Sequence, residues 1–213
     1  MSEPSFSNTV LGALATRVRS MRVGESPAAC VWRLHLVEME TERLVLRQWR
    51  DEDRGPFVAL NADPEVMAFF PRPLSAEESN ATLDRLRAGI ADRSYGFWAV
   101  EVRNRGCLIG FAGLHEVRGD YHFTPAHEVG WRLAREYWGY GYATEAGAAA
   151  LAFGFEELGL DEMVAFAVAD NARSRRVMER LGMSYDPADD FEHVAFPRGH
   201  SYRRHVLYRK RRF

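Results

Sequence analysis

Residues 128–146 read Glu-Val-Gly-Trp-Arg-Leu-Ala-Arg-Glu-Tyr-Trp-Gly-Tyr-Gly-Tyr-Ala-Thr-Glu-Ala, and this stretch decides the fold. A short apolar strand, Val129 to Leu133, runs into a turn with two glycines, Gly139 and Gly141, and then into a long alanine-rich helix. Glycines ahead of a helix let the backbone come close to a ligand. The first N–H groups of such a helix have no partner within it, and the positive end of the helix dipole lies behind them. Together they make a site for a phosphate or pyrophosphate. The dinucleotide spacing G-x-G-x-x-G fails, because Thr144 stands third after Gly141, and a Walker loop fails because no Gly-Lys-Ser/Thr follows.

A second motif lies downstream, Asn171-Ala-Arg-Ser174-Arg-Arg-Val-Met-Glu-Arg-Leu-Gly182-Met183. Asn171 stands where a helix N-cap belongs and Gly182 where that helix should end. An apolar strand, Met163 to Val168, precedes it. The two motifs therefore enclose a strand–helix–strand unit, which requires a parallel strand pair and a right-handed crossover. The helix from Tyr142 to Leu158 has few polar residues, chiefly Thr144, Glu145, Glu156 and Glu157, so it is expected to pack against a sheet.

Working outward, Arg43 to Trp49 reads as a strand. Asp51-Glu-Asp opens a helix to about Asn61, and a helical turn follows Asp63-Pro64. Ser75 and Glu78 form a capping box that starts a helix running to Arg93. Phe97 to Val102 and Leu108 to His115 read as antiparallel strands joined by the turn Arg103-Asn-Arg-Gly106. Met183 to Asp186 and Arg204 to Arg209 supply closing strands. The resulting order is β-α-α-β-β-β-α-β-α-β-β.

A chain of 213 residues suits one domain. The formal net charge of −2 carries no nucleic-acid signature, although Arg203, Arg204, Arg209, Lys210, Arg211 and Arg212 gather in a last strand and tail. No apolar run is long enough to span a bilayer. Cys30 and Cys107 are far apart and match no metal spacing, which implies free thiols in a reducing compartment and a cytoplasmic protein. The histidines also match no standard ligand spacing, so no metal is expected. Residues 1–38 carry weak cap and periodicity signals. They are read as an extension, either disordered or the product of a start site assigned too far upstream, and residues 39–213 as the domain.

Three stretches carry a family resemblance. Trp138-Gly139-Tyr140-Gly141-Tyr142-Ala143 resembles the pyrophosphate loop of the GNAT acyl-CoA N-acetyltransferases, Gln/Arg-x-x-Gly-x-Gly/Ala. The longer string Tyr-Trp-Gly-x-Gly-Tyr-Ala-Thr-Glu-Ala is similar to the RimJ/RimL-like branch, where Trp commonly replaces the leading Gln/Arg. Asn171 to Met183 resembles the family's Asn-x-x-Ser segment, and Thr41-Glu-Arg-Leu-Val-Leu-Arg-Gln-Trp resembles its opening. The likeness covers Met39 to the C-terminus. It implies the GNAT fold, an α/β (α+β) architecture: a mixed, mostly antiparallel sheet with a central β-α-β cofactor unit and helices on both faces.

The resemblance also implies a site. The backbone of Val129, Gly130, Trp131 and Leu133 would pair with the pantetheine of acetyl-CoA, the cosubstrate, with Gly130 marking a bulge or a close backbone approach. Trp138 and the N–H groups of Gly139, Tyr140, Gly141, Tyr142, Ala143 and Thr144 would hold the pyrophosphate. Asn171 and Ser174 would lie along the pantetheine arm. Tyr140 stands where many relatives carry Lys or Arg, which leaves Arg135 as the substitute cation. Glu128 is the candidate base, acting through water; the alternative is an exposed carboxylate at a strand start. The position of the family's frequent Tyr acid holds Met178, and Ser174 takes the thiol-facing role unless it is a plain helix-surface serine. The implied reaction is transfer of acetyl from acetyl-CoA to a primary amine, led by a protein or peptide N-terminus. A small amine or antibiotic, and a non-catalytic acyl-CoA sensor, remain as alternatives. The acidic loop Asp189-Asp190-Phe191-Glu192-His193 suits a cationic amine. The assembly is expected to be a monomer or homodimer, with neither nucleic acid nor membrane as partner.

Overall fold

The structure is a computed structural model that describes residues 17–22 and 35–212. Strands β1 (Arg17–Arg22), β2 (His35–Glu40) and β3 (Leu44–Arg47) come first, followed by helices α1 (Arg54–Ala62) and α2 (Ala76–Arg93). Next come β4 (Phe97–Val102), β5 (Leu108–Glu116), β6 (His127–Leu133), α3 (Tyr142–Glu156), β7 (Glu162–Val168) and α4 (Ala172–Arg180). Two short strands, β8 (Ser184–Tyr185) and β9 (Phe191–Glu192), precede the closing β10 (Arg204–Arg211). The strands join one sheet in the order β1-β2-β3-β4-β5-β6-β7-β10-β8, with β9 also on β10.

Local chemistry sets the helix ends. The Ser75 Oγ accepts from the Glu78 N–H at 3.1 Å, and the Glu78 carboxylate accepts from the Ser75 N–H at 2.9 Å, so the capping box starts α2 as its sequence requires. Asn171 caps α4 in the same manner. The stretch 51–61 is not one helix: Asp51–Asp53 is a 3-10 turn leading into α1.

The strand period of two places helices on both faces. Trp98 meets Phe153 of α3, whereas Phe111 meets Trp49 and Phe57 of α1 on the other side. Ala146, Ala149, Ala150 and Phe153 bury α3 against the sheet, and Phe57, Leu83 and Ile90 bury α1 and α2. A smaller cluster of Val117, Phe123, Val164, Phe191 and Leu207 fills the C-terminal half. Among the described residues no helix is long and apolar enough to cross a membrane.

Every strand pair is antiparallel except β6–β7. β6 is paired with β5 along its whole length, from Glu116↔His127 to Gly110↔Leu133. It meets β7 in parallel only at Glu128↔Val164. Beyond that point the two strands part.

The boundary expected between residues 38 and 39 falls inside β2. That strand begins at His35, and β1, within the expected extension, pairs with it from Arg17↔Glu40 to Arg22↔His35. Val37 is buried, and its carbonyl accepts from the Trp98 indole at 3.0 Å and from the Gln48 amide at 3.2 Å. The rest of the extension, with Cys30, lies outside the described residues.

Removing everything before Met39 would delete Val37 and leave the fully buried Trp98 N–H without its acceptor. An orphaned buried donor costs about 1–3 kcal/mol, which for a domain of this size lowers the melting temperature by roughly 2–12 °C. Thermal unfolding of the full chain against a chain starting at Met39 checks this; equal midpoints would show that the first half of β2 contributes nothing.

Candidate active site

The turn before α3 is built on backbone geometry. Gly139 and Gly141 both have φ of 83°, the left-handed region that glycine occupies without penalty. A β-carbon on Gly139 would touch nothing within 4 Å, so the requirement there is conformational. Gly141 is the N-cap of α3 and supplies no side-chain cap, which leaves the first N–H groups of the helix open. The hydroxyl of Thr144, in that first turn, is buried without a hydrogen-bond partner among the described residues.

The turn is held from a distant part of the chain. Glu145, 6% exposed, accepts from the Thr41 hydroxyl at 2.6 Å, from the Arg43 N–H at 2.8 Å and from Arg43 Nε at 2.6 Å. Arg43 Nη1 donates to the Tyr140 carbonyl at 2.9 Å, and its guanidinium lies 4.8 Å from the Tyr142 ring centre. Arg173 of α4 lies 4.0 Å over the Trp138 ring, whose indole donates to the Leu133 carbonyl at 2.8 Å. Arg135, the expected substitute cation, is instead paired with Glu65. The cations beside the turn are Arg43 and Arg173. Neither could be found from local signals: Arg43 is about a hundred residues away in sequence.

Where β6 and β7 part, a cavity of about 520 Å³ opens, bounded by Glu128 to Leu133, the glycine turn, Phe166 to Val168, Asn171 and Ser174. That volume suits a cofactor-sized ligand. Of the residues expected to hold the cofactor, Tyr140 and Arg135 stay off the wall; Tyr140 is 62% exposed and its ring stacks on Tyr142 at 5.8 Å. Asn171 Oδ1 accepts from the Ser174 N–H at 3.1 Å, so Asn171 orients the first turn of α4 beside the cavity. Met178 is buried and also lines it.

Gly130 is not a bulge. The β5–β6 register runs unbroken across it, and the irregularity falls between Val100 and Glu101 in the β4–β5 pair. A β-carbon at Gly130 would stand 3.0 Å from Phe97 Cε1 and 3.5 Å from Glu128 Oε1. The close approach here is by an aromatic ring rather than by backbone.

On β6, Val129 and Leu133 are buried on the α3 side, so Glu128, Gly130 and Arg132 face the other way. Desolvation pushes the Glu128 carboxyl up to about 8. The same cause brings the Arg132 guanidinium down to about 10 and the His205 imidazole to about 4, and lowers His193. The rings of His193 and His205 lie with centres 4.8 Å apart, tilted by 33°, and line this end together with Phe166 and Phe196. The acidic loop carries no free charge towards an amine. Asp189 is paired with Arg209, Asp190 with Arg204 and Glu192 with Arg203, each at 2.7 Å. The expectation from composition fails because the basic C-terminal strand neutralises the loop. Among the described residues, no group of three or more His, Cys, Asp or Glu side chains could hold a metal ion.

A parallel pair that opens beside a glycine turn and a helix N-terminus coincides with a family match. Residues 43–184 fit the model of the acetyltransferase (GNAT) domain. The uncharacterized N-acetyltransferase YnaD of Bacillus subtilis (strain 168) is 29% identical over 148 residues, 69% of this chain and 82% of YnaD. A GNAT-family acetyltransferase structure from Bacillus anthracis superposes with a TM-score of 0.69 at 24% identity, covering 82% of this chain and 98% of that one. RimL, a ribosomal L7/L12 alpha-N-protein acetyltransferase solved with coenzyme A, superposes with a TM-score of 0.62 at 16% identity, covering 80% and 94%. The chain belongs to the GNAT acetyltransferase family and is an acetyl-CoA-dependent N-acetyltransferase.

The Glu128 shift has a consequence for stability. Between about pH 4.5 and 8 the unfolded carboxyl gives up its proton while the folded one keeps it. Stability therefore falls as pH rises through that window, and the loss is complete above about 8. Glu128→Gln escapes this penalty. Melting curves should show the variant above the parent at about pH 8–9, from the shifted value to roughly one unit above it, with the gap closing towards about pH 4. A gap that does not change with pH would mean that the carboxyl is not desolvated.

Proposed function

We propose that the enzyme transfers acetyl from acetyl-CoA to the amino group at a protein or peptide N-terminus, as a RimJ/RimL-like member of its family. The observation that carries this reading is the parting of β6 and β7, which leaves a passage from the glycine turn on the α3 side to the chamber of Glu128, Phe166, Phe196 and His205 on the other. A thioester held from one face can meet an extended chain end entering from the other. The branch resemblance and the fold shared with RimL support the acceptor class.

The N–H groups of Gly139 to Thr144, the Thr144 hydroxyl and the cations of Arg43 and Arg173 hold the pyrophosphate. The exposed edge of β6 pairs with the pantetheine amides, which fixes the thioester beside the amine and contributes through positioning. Glu128, its pKa raised towards that of an amine, takes the ammonium proton through water. The free amine attacks the thioester carbonyl, and the carbon–sulfur bond breaks as the amide forms, the proton that the nitrogen sheds passing to the sulfur. Ser174 donates a hydrogen bond to the departing thiolate, whose acid has a pKa of ~8.5. Thiol release from acetyl-CoA against a panel of peptides and small amines tests the acceptor. Release with small amines alone would overturn the peptide assignment, and binding without release for any acceptor would overturn turnover itself.

Because Glu128 is protonated below about 8, kcat/KM should rise with pH to a break near that value. Glu128→Gln should lose this limb and about 10²–10⁴-fold in rate. A parent profile flat from pH 6 to 9 (roughly the span over which such a base titrates) would assign the proton to another group.

Arg43→Met removes a cation and the tether on Tyr140. The KM for acetyl-CoA should rise by about tenfold, equivalent to ~1.4 kcal/mol, whereas the KM for an acetyl-pantetheine fragment lacking the pyrophosphate should change little. Equal losses for both would show that Arg43 serves only to hold the fold.

A further inference from the structure

The acceptor side of β6 carries a half-buried cation that the proposed chemistry does not use. Arg132 Nη1 donates to the Asn61 side-chain carbonyl at 2.6 Å, and the guanidinium lies 4.0 Å from the Phe70 ring centre and 5.2 Å from that of Phe111. No carboxylate among the described residues pairs with it; burial alone moves its pKa, with no charge opposing the shift. Arg47, buried in the frame of the domain, is held by Asp53 at 2.8 Å and by Glu101 at 2.6 Å, a pair of counter-ions that Arg132 lacks among the described residues.

The hydrogen bonds around Arg132 point the same way. Its Nε finds no acceptor, and neither does the neighbouring Asn61 Nδ2, although both are buried. Nη1 is taken by Asn61. Nε has no surface open to a ligand, which leaves Nη2 as the donor that can reach a carboxylate through a charge-assisted hydrogen bond. Arg132 lines the cavity together with Glu128, Phe69 and Phe70. At neutral pH Glu128 is protonated and the two histidines are neutral, so the uncompensated charge on this side is positive. An unpaired charge held partly out of water is costly to keep, and a ligand that pairs with it recovers that cost only when bound.

We propose that Arg132 binds a carboxylate of the acceptor, so that the preferred peptides carry Asp or Glu within their first four residues. Glu128 and Arg132 lie on one face of β6, four residues apart, which is about 13 Å along a strand. An extended peptide with its amine at Glu128 rises by a similar amount per residue, and the two side chains close part of the span. This inference rests on the peptide reading above and on the placing of Glu128 beside the amine.

The test is steady-state kinetics on short peptides in which Asp, or Asn as its neutral partner, is moved through positions two to four, with free amino acids and non-acidic small amines alongside. At one position the Asp peptide should exceed its Asn partner by about tenfold in kcat/KM, through KM. Arg132→Met should erase the difference by raising the KM of the Asp peptide, Arg132→Lys should retain part of it, and the KM for acetyl-CoA should not move. Arg132→Met should also melt at or above the parent temperature, since a half-buried unpaired charge has gone. Peptides turned over without any preference for acid would overturn the role of Arg132 and leave the peptide assignment standing. Turnover confined to carboxylate-bearing small amines, lost in Arg132→Met, would support the role and overturn the peptide assignment. Turnover confined to non-acidic amines, or no turnover of either class, would overturn both. A lower melting temperature in Arg132→Met with the acid preference intact would place Arg132 in the frame and overturn the inference.

Discussion

The carboxylate of Glu145 lies at the start of α3 and accepts three hydrogen bonds from the turn between β2 and β3: the Thr41 hydroxyl, the Arg43 N–H and the Arg43 guanidinium. The first strands of the sheet are thereby fastened to the helix whose N-terminus opens on the cavity. The same arginine reaches the Tyr140 carbonyl, so one residue fixes both the helix and the turn that leads into it. Glu145 is almost fully buried while Arg43 is 44% exposed. Breaking the pair from the arginine side would therefore leave a charge inside without compensation, the costly half of such an interaction.

Legibility in the sequence follows the range of the interactions. The Ser75–Glu78 box, the Asn171 cap and the two left-handed glycines each depend on neighbours within four residues, and each appears where the residues predict. The strand–helix–strand unit was legible for the same reason, because apolar periodicity is local. The grip of Thr41 and Arg43 on Glu145 and the contact of Arg132 with Asn61 join positions 71 to 104 residues apart, and a single sequence holds no trace of such pairings. The acidic loop gives a related lesson. Its charges and the arginines of the C-terminal segment were both visible, but their pairing was not, and that pairing cancels the attraction that composition suggested. Gly130 was recognised as a constrained position, but the constraint comes from the ring of Phe97 on a strand that is not its sheet neighbour.

Burial moves four ionisable groups around the acceptor end in one direction, towards the uncharged form: Glu128 upward, His193, His205 and Arg132 downward. For the carboxyl and the imidazoles this removes charge near neutrality. For arginine it does not, because even a guanidinium brought down to about 10 stays protonated. Arg132 is thus the group on this face of β6 that keeps its charge at neutral pH, and the rings of Phe69, Phe70, Phe166 and Phe196 line the same cavity.

The meeting of β6 and β7 at a single residue pair divides the sheet mechanically. β1 to β6 form one continuous ladder, and β7, β10, β8 and β9 form another. One short seam at Glu128 and Val164, with α3 as a strap, joins the two. Beyond that seam the facing edges of β6 and β7 are not paired with each other. A ligand whose amides bridge that gap becomes a rung between the ladders, so that the cohesion of the molecule and its occupancy rise and fall together.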